Sequence, residues 1–250
     1  MSTNAQNGAR PTAVLVHGAF ADASSWNGVI ERLQSAGVQV TAPANPLRGI
    51  SFDSAYIASL FDQIPGPVPA VGHSYGGAVI TNAATNANNV AGLVYVCAFA
   101  PDEGERLIEI EGNSKDSVLN TALVQLQYPT GEGQETAGEF AIDPEEFHDA
   151  FAAEQSAVMA ATQRPVAELA FSEPSGVPAW KNLPSWAVVA TGDRAAGADV
   201  VRSMAERAGA TITEVEGSHV IMVSKPQAVA DVILSAVAAA PEKEELNVSH

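Results

Sequence analysis

The sequence predicts a doubly wound α/β fold, in which a mostly parallel sheet is flanked by helices. First, short apolar runs rich in β-branched residues alternate with stretches of helical length from residue 12 to residue 98, a pattern typical of parallel strands joined by crossover helices. Second, the same alternation resumes at Ser185 and continues to residue 239. Third, the sequence Gly-His-Ser-Tyr-Gly at 72–76 stands directly between a predicted strand and a predicted helix.

Between these two stretches the alternation stops, which predicts an insertion. We expect residues 1–101 and 183–240 to form the core, 102–182 to form a helical cap over the carboxyl ends of the strands, and 241–250 to be a frayed, disordered tail. A length of 250 residues suits one large domain with such an insertion. Residues 102–154 contain fourteen acidic residues and two basic ones, which we interpret as a solvated outer face.

Apolar spacing and turn residues predict the individual elements. Strands are expected at 12–16, 38–42, 68–71, 90–98, 185–191 and 211–215. Helices are expected at 26–36, 53–64, 75–86, 199–208 and 226–239, and within the insertion at 116–127, 143–161 and 165–170. Candidate helix caps are Ser24 or Ser25, Asp53 and Ser224, because short polar side chains accept hydrogen bonds from the first N–H groups of a helix.

Composition excludes several classes of function. The formal net charge of −17, from 12 basic and 29 acidic residues, argues against nucleic-acid partners and anionic membrane surfaces. No apolar run is long enough to cross a bilayer and the first residues are polar, so we expect a soluble, cytoplasmic protein. The single cysteine, Cys97, lies in an apolar run and is expected to be a buried small residue. No metal-ligand motif is present, so we expect no metal and no cofactor.

Ser74, at the centre of the Gly-x-Ser-x-Gly sequence, is the candidate nucleophile. A strand that turns at once into a helix brings two backbone segments close together, and glycine at positions 72 and 76 relieves the crowding. The serine between them is then held in a strained conformation above the edge of the sheet, at a helix N-terminus that favours developing negative charge. The apolar run before this turn and the Ala-rich run after it supply the required strand and helix.

The first predicted strand is followed by His17-Gly18-Ala19-Phe20, which predicts a loop that faces Ser74. We expect the main-chain N–H groups of Ala19 and Tyr75 to form an oxyanion hole. His17, and likewise His73 beside the nucleophile, are interpreted as structural histidines.

The remaining members of a catalytic triad are predicted from two later strands. Asp193 follows the strand at 185–191, and His219 follows the strand at 211–215. The carboxyl ends of parallel strands share one edge of the sheet, so these side chains are expected near Ser74, with His219 as the base and Asp193 orienting it. Asp102, which follows the strand at 90–98, is the alternative acid.

Four motifs resemble those of the α/β-hydrolase superfamily, and the resemblance covers nearly the whole chain. They are VLVHGAFADASSW, GHSYGG, TGDR and GSHVIMVSKPQAVAD, and they are most similar to the branch of small carboxylesterases, methylesterases and hydroxynitrile lyases. This resemblance implies a triad of Ser74, Asp193 and His219, with Ala19 and Tyr75 at the oxyanion-hole positions. The cyanohydrin-cleaving members carry a lysine and a threonine where this chain has Val220 and Gly18, a difference that favours ester hydrolysis.

The leading hypothesis is therefore a cofactor-free serine hydrolase that cleaves small, neutral carboxylic esters through an acyl-enzyme. One alternative is a hydroxynitrile lyase or perhydrolase-type activity on the same scaffold. Another is a non-enzymatic receptor for a small ligand. Acyl length, alcohol group and oligomeric state are left open by the sequence.

Overall fold

The computed structural model describes residues 10–131, 133, 135–147 and 155–240. The predicted tail at 241–250 lies outside the described residues.

Six parallel strands form the central sheet: β1 Thr12–Val16, β2 Gln39–Thr41, β3 Val68–His73, β4 Val90–Val96, β8 Ser185–Ala190 and β9 Thr211–Val215. Their order across the sheet is β2-β1-β3-β4-β8-β9. Every residue of β1 and β3 is buried, as expected for strands covered on both faces. The predicted doubly wound α/β fold is confirmed, and the predicted strand positions agree with the observed ones to within two residues.

The main helices pack on this sheet in two groups. They are α1 Asn27–Ser35, α2 Ile50–Phe61, α3 Tyr75–Ala83, α8 Ala198–Arg207 and α10 Pro226–Ala239. Helix α1 packs against α10, whereas α2 packs against α3. From β1 the chain crosses to β2 at one edge of the sheet, and it later returns to β3 on the opposite side of β1. The direction of the connections therefore reverses between β1 and β3, and ligands bind at such a reversal in open α/β sheets.

The predicted helix caps are wrong. The cap before α1 is Asp22, whose Oδ1 accepts the Ser24 N–H at 2.7 Å in a short 3-10 turn at Ala23–Trp26. Helix α2 begins three residues before Asp53, which is instead buried in its first turn. Ser224 ends a short helix, α9 Ile221–Ser224, and α10 begins at Pro226 without a side-chain cap.

The insertion contains a second, smaller sheet that the sequence analysis missed. Strands β5 Leu123–Pro129, β6 Thr136–Ile142 and β7 Val166–Ala167 pair antiparallel in the order β5-β6-β7. Its described helices are short: α4 Leu107–Gly112, α5 Leu119–Ala122, α6 Ser156–Thr162 and α7 Leu169–Ser172.

Two predicted helices in the insertion are therefore wrong in extent. The predicted helix 116–127 is helical only over α5, because the residues after it pair with β6 from Leu123↔Ile142 onwards. Pairing with a distant segment here outweighs the helix propensity of Leu and Gln. Most of the predicted helix 165–170 is occupied by β7 and the start of α7. Within 143–161, the described part is helical over Ser156 to Ala161, and 148–154 lie outside the description. The role of 102–182 as a cap stays a prediction.

Among the described residues, no helix is both long and apolar enough to span a bilayer.

Glycines at the junction of β1, β3 and α3 allow main-chain segments to touch. A Cβ on Gly72 would lie 2.5 Å from the Gly76 carbonyl oxygen, and one on Gly76 would collide with the carbonyl of Val16 and lie 2.9 Å from that of His17. These atoms belong to the main chain and cannot rotate away. The two glycines are therefore required by packing.

We predict that Gly76→Ala lowers the free energy of unfolding by about 2 to 3 kcal/mol, because overpacking outweighs the gain of about 1 kcal/mol in helix propensity. Gly112→Ala, at the end of α4, is the matched control, since a Cβ there meets nothing within 4 Å. It is expected to leave stability unchanged or slightly raised. Urea unfolding of both variants makes the comparison, and equal stability of the two would contradict the packing argument.

Candidate active site

Ser74 stands at the junction of β3 and α3 in a strained backbone conformation. Its φ and ψ angles are 51° and −124°, a region that side-chain-bearing residues rarely adopt. Its carbonyl oxygen accepts hydrogen bonds from the N–H groups of Gly77 at 2.9 Å and Phe99 at 3.2 Å. The strain is thus held in place by neighbouring main chain, as a nucleophile elbow requires.

His219 and Asp193 form a buried pair. Nδ1 of His219 lies 2.8 Å from Oδ2 of Asp193, and both side chains are almost completely buried. The second carboxylate oxygen, Oδ1, accepts the N–H groups of Ala195 and Ala196 at 3.0 Å each. A carboxylate accepts hydrogen bonds, so the proton of a neutral His219 ring lies on Nδ1 and its Nε2 carries a lone pair. Such an imidazole can accept a proton at Nε2.

Ser74, His219 and Ala19 line one cavity of about 10 Å³. Its other walls are apolar and come from Phe20, Phe99, Leu119, Phe171, Ala195 and Ala196. Four of the sequence-predicted site residues are thereby brought together, since Asp193 contacts His219. The fifth, Tyr75, follows Ser74 directly in the chain. Among the described residues, the N–H groups of Ala19 and Tyr75 have no hydrogen-bond acceptor, so both remain able to bind an oxyanion.

Asp102, the alternative acid, is engaged elsewhere. Its Oδ1 lies 2.6 Å from Nζ of Lys181 and accepts the N–H of Glu103 at 2.7 Å. The hydrogen bond from Lys181 lowers the pKa of the Asp102 carboxyl. The side chain is 34% exposed, in contrast to the fully buried Asp193. The geometry therefore favours Asp193 as the partner of His219.

His17 ties two loops together. Its Nδ1 lies 2.9 Å from the carbonyl oxygen of Gly18, and its Nε2 accepts the N–H of Asn45 at 2.9 Å. These partners require a neutral ring with its proton on Nδ1. Burial, together with a smaller contribution from the nearby Arg164 guanidinium, lowers the pKa of His17 from 6.5 to about 4. The interpretation of His17 as a structural residue thus agrees with its contacts.

His73 supports the loop that carries His219. Its Nε2 lies 3.1 Å from the His219 carbonyl oxygen and acts as the donor, and the two rings are 4.7 Å apart between centroids. Complete burial holds the pKa of His73 well below its usual value, and the adjacent His219 acts in the same direction. Because the His73 ring is neutral, it does not repel a positive charge that develops on the His219 ring.

Glu111 and Ser117 support the loop that carries Asp193 and were not found by sequence analysis. The Ser117 hydroxyl is 2.9 Å from a Glu111 carboxylate oxygen and 2.6 Å from the Ala195 carbonyl oxygen. Glu111 is 3% exposed, so the assignment of this residue to a solvated face is wrong. Burial raises the pKa of Glu111. Nothing in the sequence around Glu111 distinguishes it from its exposed acidic neighbours.

Asp53 anchors the residue after the nucleophile. Its Oδ2 accepts the Tyr75 hydroxyl at 2.7 Å, and both of its oxygens accept the Arg48 N–H at 3.1 Å. Burial raises the pKa of both Asp53 and Tyr75. The Tyr75 ring also packs against Phe171, 6.2 Å between centroids. These contacts fix the side chain of Tyr75, the residue whose main-chain N–H is an expected oxyanion donor.

Comparison with known proteins gives one family and a consistent set of structures. Residues 13–232 match the alpha/beta hydrolase family. A carbendazim hydrolyzing esterase of Nocardioides sp. (strain SG-4G) is 32% identical over 110 residues. That match covers 39% of this chain and 46% of the relative, so it spans less than half the length of either protein.

Solved structures of similar fold cover almost the whole chain. A pyrethroid hydrolase from Sphingobium faniae JZ-2 superimposes with a TM-score of 0.73 at 20% identity, covering 92% of this chain and 98% of that one. A polyneuridine aldehyde esterase variant gives 0.72 at 21%, covering 90% and 98%. A variant of tomato methylketone synthase I gives a TM-score of 0.73 at 22% identity, covering 92% of this chain and 98% of that one. At these identities the likeness shows the fold.

We predict that the His17 ring stays neutral, with its proton on Nδ1, until the pH approaches 4. Its folded pKa lies below its unfolded one, so its contribution to stability is complete above pH 6.5 and is lost as the pH falls towards 4. Two-dimensional ¹⁵N–¹H NMR of the imidazole rings measures the titration, and His17→Asn identifies the resonance. A midpoint of 6 or above would contradict the assigned hydrogen bonds.

Proposed function

Because the chain belongs to the alpha/beta hydrolase family, we propose that it is a serine hydrolase that cleaves small, neutral carboxylic esters. The observation that carries this proposal is that Ser74 and His219 line one cavity while Asp193 binds the far side of the His219 ring at 2.8 Å. This arrangement provides a nucleophile, a base and an orienting carboxylate.

In the proposed reaction, Nε2 of His219 accepts the Ser74 proton while Oγ bonds to the ester carbonyl carbon. The carbonyl π electrons move to oxygen, which becomes the oxyanion of a tetrahedral intermediate. The intermediate then collapses, the bond to the alkoxy oxygen breaks, and His219 returns its proton to the departing alcohol. An acyl group remains on Ser74, and a water molecule activated by His219 releases it as a carboxylic acid.

Asp193 is proposed to stabilise the imidazolium as it forms and to hold the ring in its tautomer. Its Oδ1 is already bound by two main-chain N–H groups, so the carboxylate cannot turn away from His219. The carboxylate itself does not change protonation.

The N–H groups of Ala19 and Tyr75 are proposed to bind the oxyanion. Ala19 lines the cavity of Ser74, and Tyr75 begins α3, so its N–H is one of the unpaired donors of a helix start. Loss of one such donor costs on the order of 3 kcal/mol in comparable enzymes. Gly18 brings the first loop this close, because a Cβ on it would lie 2.7 Å from Cβ of Ser74.

Two observations support a neutral ester as the substrate. Apart from Ser74 and His219, the described residues that line the cavity of Ser74 are apolar, so an anionic acyl group would lack a counter-ion there. The curated relative is named an esterase, and two of the similar structures are a pyrethroid hydrolase and a polyneuridine aldehyde esterase.

We also propose that residues 1–101 and 183–240 form the core and that residues 102–182 form a cap over it. A cytoplasmic location and the absence of a nucleic-acid partner are proposed as well.

We predict that Ser74→Ala lowers kcat/KM for a short acyl ester by at least about 10³-fold, because no nucleophile remains. The native chain should gain one adduct from a small fluorophosphonate, seen as a mass increase of the intact protein, whereas Ser74→Ala and His219→Ala should not. Circular dichroism and urea unfolding check that each variant is folded. Unchanged turnover in Ser74→Ala would overturn the proposed function.

We predict that replacing either aspartate distinguishes the acid of the triad. Asp193→Asn should lower kcat by about 10⁴-fold, because the amide stabilises the wrong tautomer of His219. Asp102→Asn is the matched control and should change kcat by less than about fivefold, since it breaks only a partly exposed ion pair. Steady-state kinetics on one short ester compare the two. A larger loss in Asp102→Asn would move the role of the acid to Asp102.

A further inference from the structure

The cavity at Ser74 is too small for an ester. Its volume of about 10 Å³ is roughly the space that one water molecule needs. An ester brings at least an acyl group and an alkoxy group to the nucleophile, so a wall of this cavity has to move when substrate binds.

A larger groove lies next to this cavity. It has a volume of about 260 Å³ and is formed by the loop after β1, the 3-10 turn that leads into α1, helix α6 and Val223. Among the described residues that line the groove or the cavity of Ser74, Phe20 is the one that lines both. Phe20 therefore lies between the groove and the cavity of Ser74.

Phe20 is held in this place under strain. Its φ is 58°, in the left-handed region that favours glycine, and the residue is 3% exposed. Its ring stacks on Phe171, 6.4 Å between centroids. Side-chain-bearing residues keep such a backbone only where the surroundings impose it, and they concentrate at functional sites. Phe20 also directly follows Ala19, so it adjoins the expected oxyanion hole.

The groove has the chemistry of a site for an uncharged group. One part of its wall is apolar, with Phe20, Val158, Met159 and Val223. Other parts present hydroxyl and amide groups, which can bind polar atoms of a neutral ligand. None of the described residues that line it is basic, and its one acidic residue is Asp22. A hydrogen bond from Ser24 lowers the pKa of Asp22, so this carboxylate is ionised at neutral pH and disfavours carboxylates in the groove. Its Oδ1 already accepts the Ser24 N–H and hydroxyl, so the polar groups that remain for a ligand are neutral hydroxyls and amides.

We propose that this groove binds the larger, uncharged substituent of the ester, and that the Phe20 side chain moves aside to connect it with Ser74. The inference rests on the proposed function and specifies the substrate class: esters with one small group at Ser74 and one extended, neutral, partly apolar group. Phe20 then acts as a specificity-determining residue.

The test uses two fluorophosphonates that react with Ser74, one with a two-carbon chain and one with an extended phenylalkyl chain. The rate of adduct formation on the full chain is followed by intact-protein mass spectrometry, and the ratio of the two rates is compared between variants. This ratio cancels any loss of reactivity that affects both probes. Val158→Trp fills the groove from a side chain that is 62% exposed, and Thr162→Trp fills it from the end of α6. Val177→Trp is the matched control, because Val177 is 54% exposed and lines neither space.

Val158→Trp and Thr162→Trp are expected to lower the long-to-short ratio by about tenfold or more, a size typical of a hydrophobic pocket that loses its ligand group. Phe20→Ala should raise the ratio, and Val177→Trp should leave it unchanged. If Ser74 is still labelled and both groove variants give the same ratio as the native chain, the proposal that the groove binds the larger substituent is overturned. The proposed function would then still stand. If neither probe labels Ser74 in the native chain, the proposed function fails and the groove proposal fails with it.

Discussion

Close main-chain packing around Ser74 is the constraint on which the rest of the site depends. A Cβ on Gly77 would lie 2.5 Å from the Phe99 carbonyl oxygen, and the glycines at 18, 72 and 76 meet similarly close neighbours. The loop after β1, the end of β3, the start of α3 and the chain after β4 therefore share one compact junction. Main-chain atoms cannot relieve such close contacts by changing rotamer, so this junction fixes Ser74 and the loop after β1 together.

The position of Asp193 depends on the insertion as well as on the sheet. The loop after β8 holds Asp193, and it docks on the segment between α4 and α5. The carbonyl oxygen of Arg194 accepts the Val118 N–H at 2.8 Å, and the carboxylate of Asp199, at the start of α8, accepts the Lys115 N–H at 2.9 Å. With the bridge from Ser117 to Ala195, these bonds connect residues that are about 80 apart in sequence. The insertion therefore helps to hold the loop whose carboxylate binds His219.

Buried neutral histidines set the electrostatics around His219. Burial lowers the pKa of both His17 and His73, so neither brings a positive charge to the site at neutral pH. A charged His73 ring, 4.7 Å from His219, would oppose an imidazolium there. The carboxylate of Asp193 is instead the charge in contact with His219. Both histidines serve the site by remaining uncharged hydrogen-bonding groups.

The sequence alone determined the features that depend on neighbouring residues. The strand-and-helix alternation predicted the sheet, and the glycines around Ser74 predicted the elbow, because periodicity and steric crowding are local. For the partner of His219 the sequence predicted Asp193, with Asp102 as the alternative, and the tertiary structure separates the two by pairing Asp193 with His219 and Asp102 with Lys181. Only the tertiary structure paired β5 with β6 and buried Glu111. Each of these is a contact between residues that are not neighbours in the chain, so a local pattern of residues does not decide it.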